Sequence, residues 1–284
     1  MSVYITEAQV KQYASNIRIL FQQQGSLLRS AVRTEALRGK YRFFDRLGAT
    51  TARRKTTRHA ATPLIDSVHS RRRAEAVDFE WADLLDPQDE IRILISPASS
   101  YVVNAAWALG RAMDSEIITA FNRDAVTGED GGGTAVFPAG QVIAAGGTGL
   151  TIAKLREAMR MLDVNKAPTM GRYLALDPYG KEDLLSTTEV TSADFNTVRA
   201  LVNGEINSFL GFQFIMIPDL LPNSGGTRSA FAWQESAMGL VLGEDIMTRV
   251  DPRVDLSMAM QVYARATFGA VRVEDEGVIQ INYV

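Results

Sequence analysis

The feature that most constrains this chain is a split in its charge. Residues 1–73 carry fifteen lysines and arginines, from Lys11 to Arg73, against four acids (Glu7, Glu35, Asp45 and Asp66), a net of +11. The remaining 211 residues carry fifteen bases and twenty-nine acids, a net of −14, so the overall −3 conceals two opposed regions. An asymmetry of that size asks for a partner. The basic third can pair with nucleic acid, or with the acidic two-thirds of another copy, and the second needs no other molecule.

At 284 residues, 46 % apolar and 22 % charged, the chain has the bulk for a real core and an ordinary globular composition. It has no cysteine, which removes disulfides, a thiol nucleophile and thiolate metal sites together and suits a reducing compartment. Met1-Ser2-Val3-Tyr4 starts no basic, apolar leader, and no apolar run reaches the roughly 20 residues of a membrane span. A soluble, unexported protein with no membrane contact is expected.

Along the chain, Thr6-Glu7-Ala8-Gln9 fits a capping box ahead of Val10, Tyr13, Ala14, Ile17 and Leu20-Phe21, an amphipathic helix. Residues 46–78 read as a long hairpin. Arg53-Arg54-Lys55, Arg58 and Arg71-Arg72-Arg73 make both its arms basic, Thr50-Thr51 and Thr56-Thr57 favour strand, and Thr62-Pro63 with Asp66-Ser67 supplies the turn. With no apolar face such a hairpin is marginal alone, so it is either a solvated loop or an arm that orders on a neighbour. Ile91, Ile93 and Ile95 alternate as a strand. After Ser99 or Ser100, residues Val102, Ala105-Ala106, Leu109, Met113, Ile117 and Phe121 predict a helix to Asn122, roughly 35 Å long at 1.5 Å per residue.

Ala135 to Ile143 reads as a short strand between Gly-rich breaks. Beyond it come helices at 151–163, 181–185 and 193–202 and strands at 172–176, 212–217, 229–233 and 239–242. Two long strands at 258–272 and 278–283 flank a turn at Glu274–Gly277. Helices and strands mix without regular βαβ alternation, so the fold class is α+β.

Catalytic chemistry is not legible. Gly146-Gly147-Thr148-Gly149 is a fragment of a phosphate loop without the later Gly or a Gly-Lys-Ser/Thr element, and reads as a hinge. His59 and His69, ten residues apart with no acidic cluster, make poor metal ligands. No Gly-x-Ser-x-Gly elbow is present, and Glu182-Asp183, Glu244-Asp245 and Glu274-Asp275-Glu276 read as solvated carboxylates. No catalytic, cofactor-binding or metal residue is assigned.

The order of parts is itself informative. Tyr101 to Ile118 contains Ala108-Leu109-Gly110-Arg111-Ala112-Met113-Asp114. Then come Leu150-Thr151-Ile152-Ala153-Lys154-Leu155 and Tyr173-Leu174-Ala175-Leu176-Asp177-Pro178. Gly204-Glu205-Ile206 runs on to Phe209-Leu210-Gly211-Phe212, and Gly269-Ala270-Val271-Arg272-Val273 closes the series. Together with the basic arm and charged hairpin, this series resembles the major capsid protein of tailed bacteriophages, the Hong Kong 97-type fold. The resemblance implies an N-terminal arm at 1–40, an extended loop at 41–86, a peripheral domain at 87–148 and 244–284 with its spine helix, and an axial domain at 149–243. It further implies a subunit that is not an enzyme and needs no cofactor. Such subunits assemble as pentamers and hexamers into an icosahedral shell, in the host cytoplasm and then the virion. The shell holds double-stranded DNA without sequence-specific contact.

The resemblance also implies a portal. There is no long N-terminal extension that could act as a built-in scaffold, so a separate scaffolding protein is expected. No match appears for the Lys–Asn cross-link of some relatives, since Lys55 lies among arginines that fit salt bridges better. Arg53, Arg54, Lys55, Arg58, Arg71, Arg72 and Arg73 are the expected inter-subunit cations, with Glu244, Asp245, Asp251 and Asp255 of a neighbouring copy as partners by family analogy. A cargo-compartment shell of the encapsulin type shares the fold and stays open as an alternative. A nucleic-acid-binding protein also stays open, although the arginine runs lack interleaved aromatics in sequence.

Overall fold

The computed structural model describes residues 22–59, 61–62, 64–85, 98–186, 208–218, 223–224 and 226–284. The helix expected at 6–21, the strand expected around Ile91–Ile95 and the helix expected at 193–202 lie outside these. The chain divides into two units, one of Met1–Ser26, Val77–Met113 and Glu244–Phe268, the other of Leu27–Ala76, Asp114–Gly243 and Gly269–Val284.

The larger unit is built on a seven-stranded mixed sheet. Its members are β7 (Val142–Ile143), β8 (Arg172–Leu176), β9 (Ser208–Phe209), β10 (Phe212–Met216), β11 (Asn223–Ser224), β12 (Thr227–Gln234) and β15 (Val278–Tyr283). The order is β7-β15-β12-β8-β10-β9, with β11 paired to β12. Central β12 is buried on both faces. Ala230 and Ala232 join Leu174, Leu176, Ile279 and Ile281 in a cluster with Leu155, Ala158 and Leu162 of the helix α2 (Ile152–Val164). On the alternate parity, Phe231 stacks on Phe121 and Trp233 packs tilted against it, at 4.8 and 4.7 Å between ring centroids, near the end of the long helix α1 (Ala98–Asn122). Each such fully buried side chain is worth about 1.5–3 kcal/mol of transfer free energy. Trp233 Nε1 donates to Ala31 O at 2.8 Å, so the ring's one polar atom is satisfied.

A smaller sheet in the same unit runs β2-β3-β5-β6, from β2 (Tyr41–Leu47), β3 (His69–Glu75), β5 (Ala125–Thr127) and β6 (Gly133–Ala135). Its core is Leu37, Phe44, Ala74, Ala125, Val241, Val271 and Val273. The strand β1 (Arg33–Ala36) runs parallel to the first residues of β13 (Met238–Arg253), Arg33 opposite Gly239 and Ala36 opposite Leu242.

In the other unit β4 (Val77–Leu85) is antiparallel to β14 (Ala259–Arg272), from Val77↔Phe268 to Leu85↔Met260. Period-two alternation sorts the faces: Val262, Ala264, Ala266 and Phe268 are buried, whereas Thr267 donates to Asp78 at 2.7 Å on the polar side. Helix α1 presents Ala105, Leu109, Met113, Ile117 and Phe121, each at most 3 % exposed, at the four-residue step the sequence predicts. Gly110 lets residues 22–26 lie against this helix: a Cβ there would stand 2.5 Å from the Gly25 carbonyl carbon. Gln22 and Arg111 join the same contact, Nη1 to Oε1 at 2.8 Å.

Three expectations need correction. The hairpin arms are Tyr41–Leu47 and His69–Glu75, not the threonine-bearing stretches. Thr50, Thr51, Thr56 and Thr57 are all exposed and outside any strand, and a threonine's strand preference acts only on a pleated surface it can pack on. The strand expected from Ala135 to Ile143 is two short ones, because Pro138 leads into a 3₁₀ turn at Ala139–Gln141. The strand expected at 239–242 continues to Arg253, its outer half too polar to signal itself.

Candidate assembly interface

The basic hairpin has two different faces. On one, β2 and β3 set Tyr41 opposite Glu75, Phe43 opposite Arg73, Asp45 opposite Arg71 and Leu47 opposite His69. The Arg73 guanidinium lies 4.4 Å from the Tyr41 ring centroid and that of Arg71 5.1 Å from Phe43. The aromatics missing between the arginines in sequence are therefore supplied across the strand pair. Arg71 Nε also reaches Asp45 Oδ1 at 3.0 Å. With acids set among the cations, this face offers no uniformly positive track for a phosphate backbone.

The other face carries Arg72, 5 % exposed, whose Nη2 pairs with Asp275 Oδ2. Arg272, fully buried, reaches the other oxygen of Asp275 through Nε at 2.7 Å. It also donates to Phe121 O at 2.9 Å, Arg123 O at 2.8 Å and Ala135 O at 3.1 Å. Burial pulls the Arg72 guanidinium below the ordinary arginine range, with Asp275 acting against it. Arg46 adds a bidentate pair to Glu274, at 2.9 and 2.6 Å. Glu274-Asp275-Glu276 is thus not a solvated run. It holds both hairpin strands, through Arg46 and Arg72, and through Arg272 it ties the end of β14 to the end of α1; only spatial neighbours more than 200 residues away reveal it.

Between the arms, residues 48–68 hold Arg53, Arg54, Lys55 and Arg58, all exposed. Among the described residues none of these four has a carboxylate partner in the subunit. The same loop exposes Leu64 at 93 % and Val68 at 73 %. His59 adopts φ 58° at its tip, and His69 sits in β3; among the described residues no group of three His, Asp or Glu could hold a metal ion.

The four expected acids all belong to the Glu244–Phe268 segment, and each has local contacts. Glu244 pairs with Arg265 at 2.9 Å, Asp251 with Arg249, and Asp255 with Arg253 at 2.6 Å. Asp245 accepts the Ile246 N–H at 2.9 Å. The hydrogen bond from Arg253 holds the Asp255 carboxyl down at about 2. Of the seven expected cations, Arg72 is enclosed within its own subunit, Arg71 and Arg73 are half-covered, and the loop four face outward. Among the described residues no helix is long and apolar enough to cross a membrane.

A family model described as phage capsid protein matches residues 5–284. No curated protein matches the sequence. The capsid structure of cyanophage P-SCSP1u is similar with a TM-score of 0.74 and 16 % identity, over 99 % of this chain and 94 % of that one. A structure from Mycobacterium phage Che8 gives 0.71 and 15 %, over 95 % and 96 %. The head structure of Helicobacter pylori bacteriophage KHP40 gives 0.76 and 10 %, over 100 % and 98 %.

Proposed function

The chain belongs to the phage capsid protein family, and from that premise we propose that its 48–68 loop is the part that fastens one subunit to the next. It is a structural major capsid protein of the head shell, with the Hong Kong 97-type α+β fold, and its place is the virion capsid. Copies associate into the shell.

In our reading residues 1–40 are the arm, 41–86 the extended loop, 87–148 with 244–284 the peripheral domain, and 149–243 the axial domain around which pentamers and hexamers form. The subunit performs no catalysis. It assembles in the host cytoplasm on a separate scaffolding protein and a portal, and the shell then encloses double-stranded DNA through non-specific contacts. Arg53, Arg54, Lys55 and Arg58 meet Glu244, Asp245, Asp251 and Asp255 of a neighbouring copy, with Arg71 and Arg73 flanking. One exposed ion pair contributes only ~0–1 kcal/mol, but the set recurs at every subunit boundary.

The observation that carries this reading is the cluster of four exposed cations, without a carboxylate partner among the described residues, on a loop that also exposes Leu64 and Val68. Arginine is enriched at the buried centre of interfaces, and exposed apolar side chains gain when a partner takes them out of water. The test changes Arg53, Arg54, Lys55 and Arg58 to Ser together and expresses the subunit with the other head proteins. The variant should fold with an unchanged unfolding midpoint and yield few or fragile shells. Shells in wild-type yield and of wild-type heat resistance would refute the assignment.

A further inference from the structure

The stretch Gly146-Gly147-Thr148-Gly149 reads in sequence as a fragment of a phosphate cradle, in which backbone N–H groups point at an anion. In the structure the polarity is reversed. Lys154 Nζ, from the first turn of α2, lies 2.9 Å from Ala145 O, 2.9 Å from Thr148 O and 2.9 Å from Gly149 O, and 3.1 Å from Asn282 O on β15. Gly146 and Gly147 make the arrangement possible, with φ of 59° and 69° in succession, a backbone path that side chains with a Cβ rarely follow. Lys154 itself is only 8 % exposed.

An ammonium has three N–H donors, so four carbonyls exceed one-to-one hydrogen bonding. They form a shell of neutral oxygens around a monovalent charge, the means by which backbone carbonyls replace the hydration of a potassium ion. The radius separates cation classes: calcium takes oxygens at about 2.3–2.6 Å and magnesium at about 2.0–2.1 Å, both shorter than any distance here. Burial lowers the Lys154 pKa from the ordinary lysine value, while the Asp183 carboxylate acts the other way. Asp183 belongs to the same structure, since its Oδ2 accepts the Leu150 N–H at 2.9 Å.

We propose that residues 145–149 and Asn282 form a monovalent-cation site that the chain fills with its own Lys154 ammonium. The tethered cation joins the glycine turn, the start of α2 and the last strand, where Val284 N also donates to Thr148 O at 3.2 Å. The native protein therefore needs no free ion at this place. A chain shortened at position 154 keeps the four carbonyls and takes a large monovalent cation in their midst.

The test is thermal unfolding of full-length Lys154→Ala in the chlorides of choline, sodium, potassium and ammonium at equal ionic strength. The wild type should unfold at one temperature in all four salts. The alanine variant should be lowest in choline and regain roughly 4 °C or more in ammonium or potassium, with less from sodium. Lys154→Met, which fills the side-chain channel without a charge, should be lowered equally in all four. An alanine variant indifferent to the cation, folded in none of the salts, or as stable as wild type in choline overturns the proposal. On the native protein, an amine-acylating reagent should modify exposed Lys166 and spare Lys154, and equal rates at the two would also overturn it.

Discussion

Arg72 in the basic hairpin and Asp275 in the turn before the last strand are 203 residues apart in the chain and form a buried ion pair. Arg272 shares the same carboxylate, so two guanidinium groups converge on one acid that is only 15 % exposed. Removing the shared acid would leave two buried guanidinium charges uncompensated, at a cost of about 3–5 kcal/mol. Asp275→Ala should destabilise the subunit by that much in chemical denaturation, and Arg72→Ala, which leaves Asp275 paired with Arg272, by about 1.5–3 kcal/mol. Arg71→Ala, whose partner Asp45 is largely exposed, should cost under about 1 kcal/mol. The three consecutive arginines are therefore not equivalent, and a triple alanine change would report on folding before it reported on assembly. Equal small losses at Arg71 and Arg72 would contradict this.

Gly269 sits where β14 passes the end of β3. A Cβ there would stand 1.9 Å from Glu75 O, and that neighbour is backbone with no rotamer to retreat into. Gly269→Ala should lose at least the ~1–3 kcal/mol typical of overpacking and give little soluble subunit. Gly140→Ala, where the added atom meets nothing within 4 Å, is the control and should be near neutral. A Gly269→Ala protein with an unchanged unfolding midpoint would show that the strands pass farther apart than described.

Tyr283 is fully buried and donates its hydroxyl to Asp177 Oδ1, while Arg228 pairs with the other oxygen at 2.6 Å. Burial, then the hydrogen bond to Asp177, raises the Tyr283 pKa far above the ordinary 10. A folded-state pKa raised above the unfolded one means that the contribution is intact below pH 10 and is lost progressively as pH climbs beyond it. Tyr283→Phe should cost about 1–3 kcal/mol at neutral pH and flatten the alkaline limb of the stability curve. An alkaline limb of unchanged slope in the variant would place that pH dependence elsewhere.

How much of this was legible in the sequence follows from which forces act locally. The spine helix, α2, β8 and β15 came through because helical spacing and period-two alternation are properties of neighbouring residues. The order of parts sufficed for the α+β class and the capsid-type fold. Sequence texture left a phage shell and a cargo compartment both open, and the family match decides between them. What was missed is non-local. Glu274-Asp275-Glu276 looked like a hydrophilic run because its arginine partners lie more than 200 residues upstream. The Tyr41–Arg73 and Phe43–Arg71 stacks exist only across a strand register. The outer half of β13 has no buried face, so nothing apolar marked it as strand.

The loop at 48–68 has one backbone hydrogen bond across its base, Gly48 N to Val68 O at 2.8 Å, and no strand of its own among the described residues. Its amides should exchange within seconds in the unassembled subunit and become protected in finished shells, since an exposed loop that gains a partner loses its open states. Comparing hydrogen exchange of residues 48–59 before and after assembly checks this. Unchanged, fast exchange in finished shells would mean that the loop faces solvent there.

The central claim, that this chain builds a closed shell and fastens it through that loop, is tested most directly by electron cryomicroscopy of particles assembled from the wild-type protein with its scaffold. The account predicts icosahedral shells in which the fold repeats as pentamers and hexamers. In their density Arg53, Arg54, Lys55 and Arg58 should lie within ion-pair distance of carboxylates on a neighbouring copy. Particles whose loops project into solvent, or a protein that stays monomeric under every assembly condition, would contradict it.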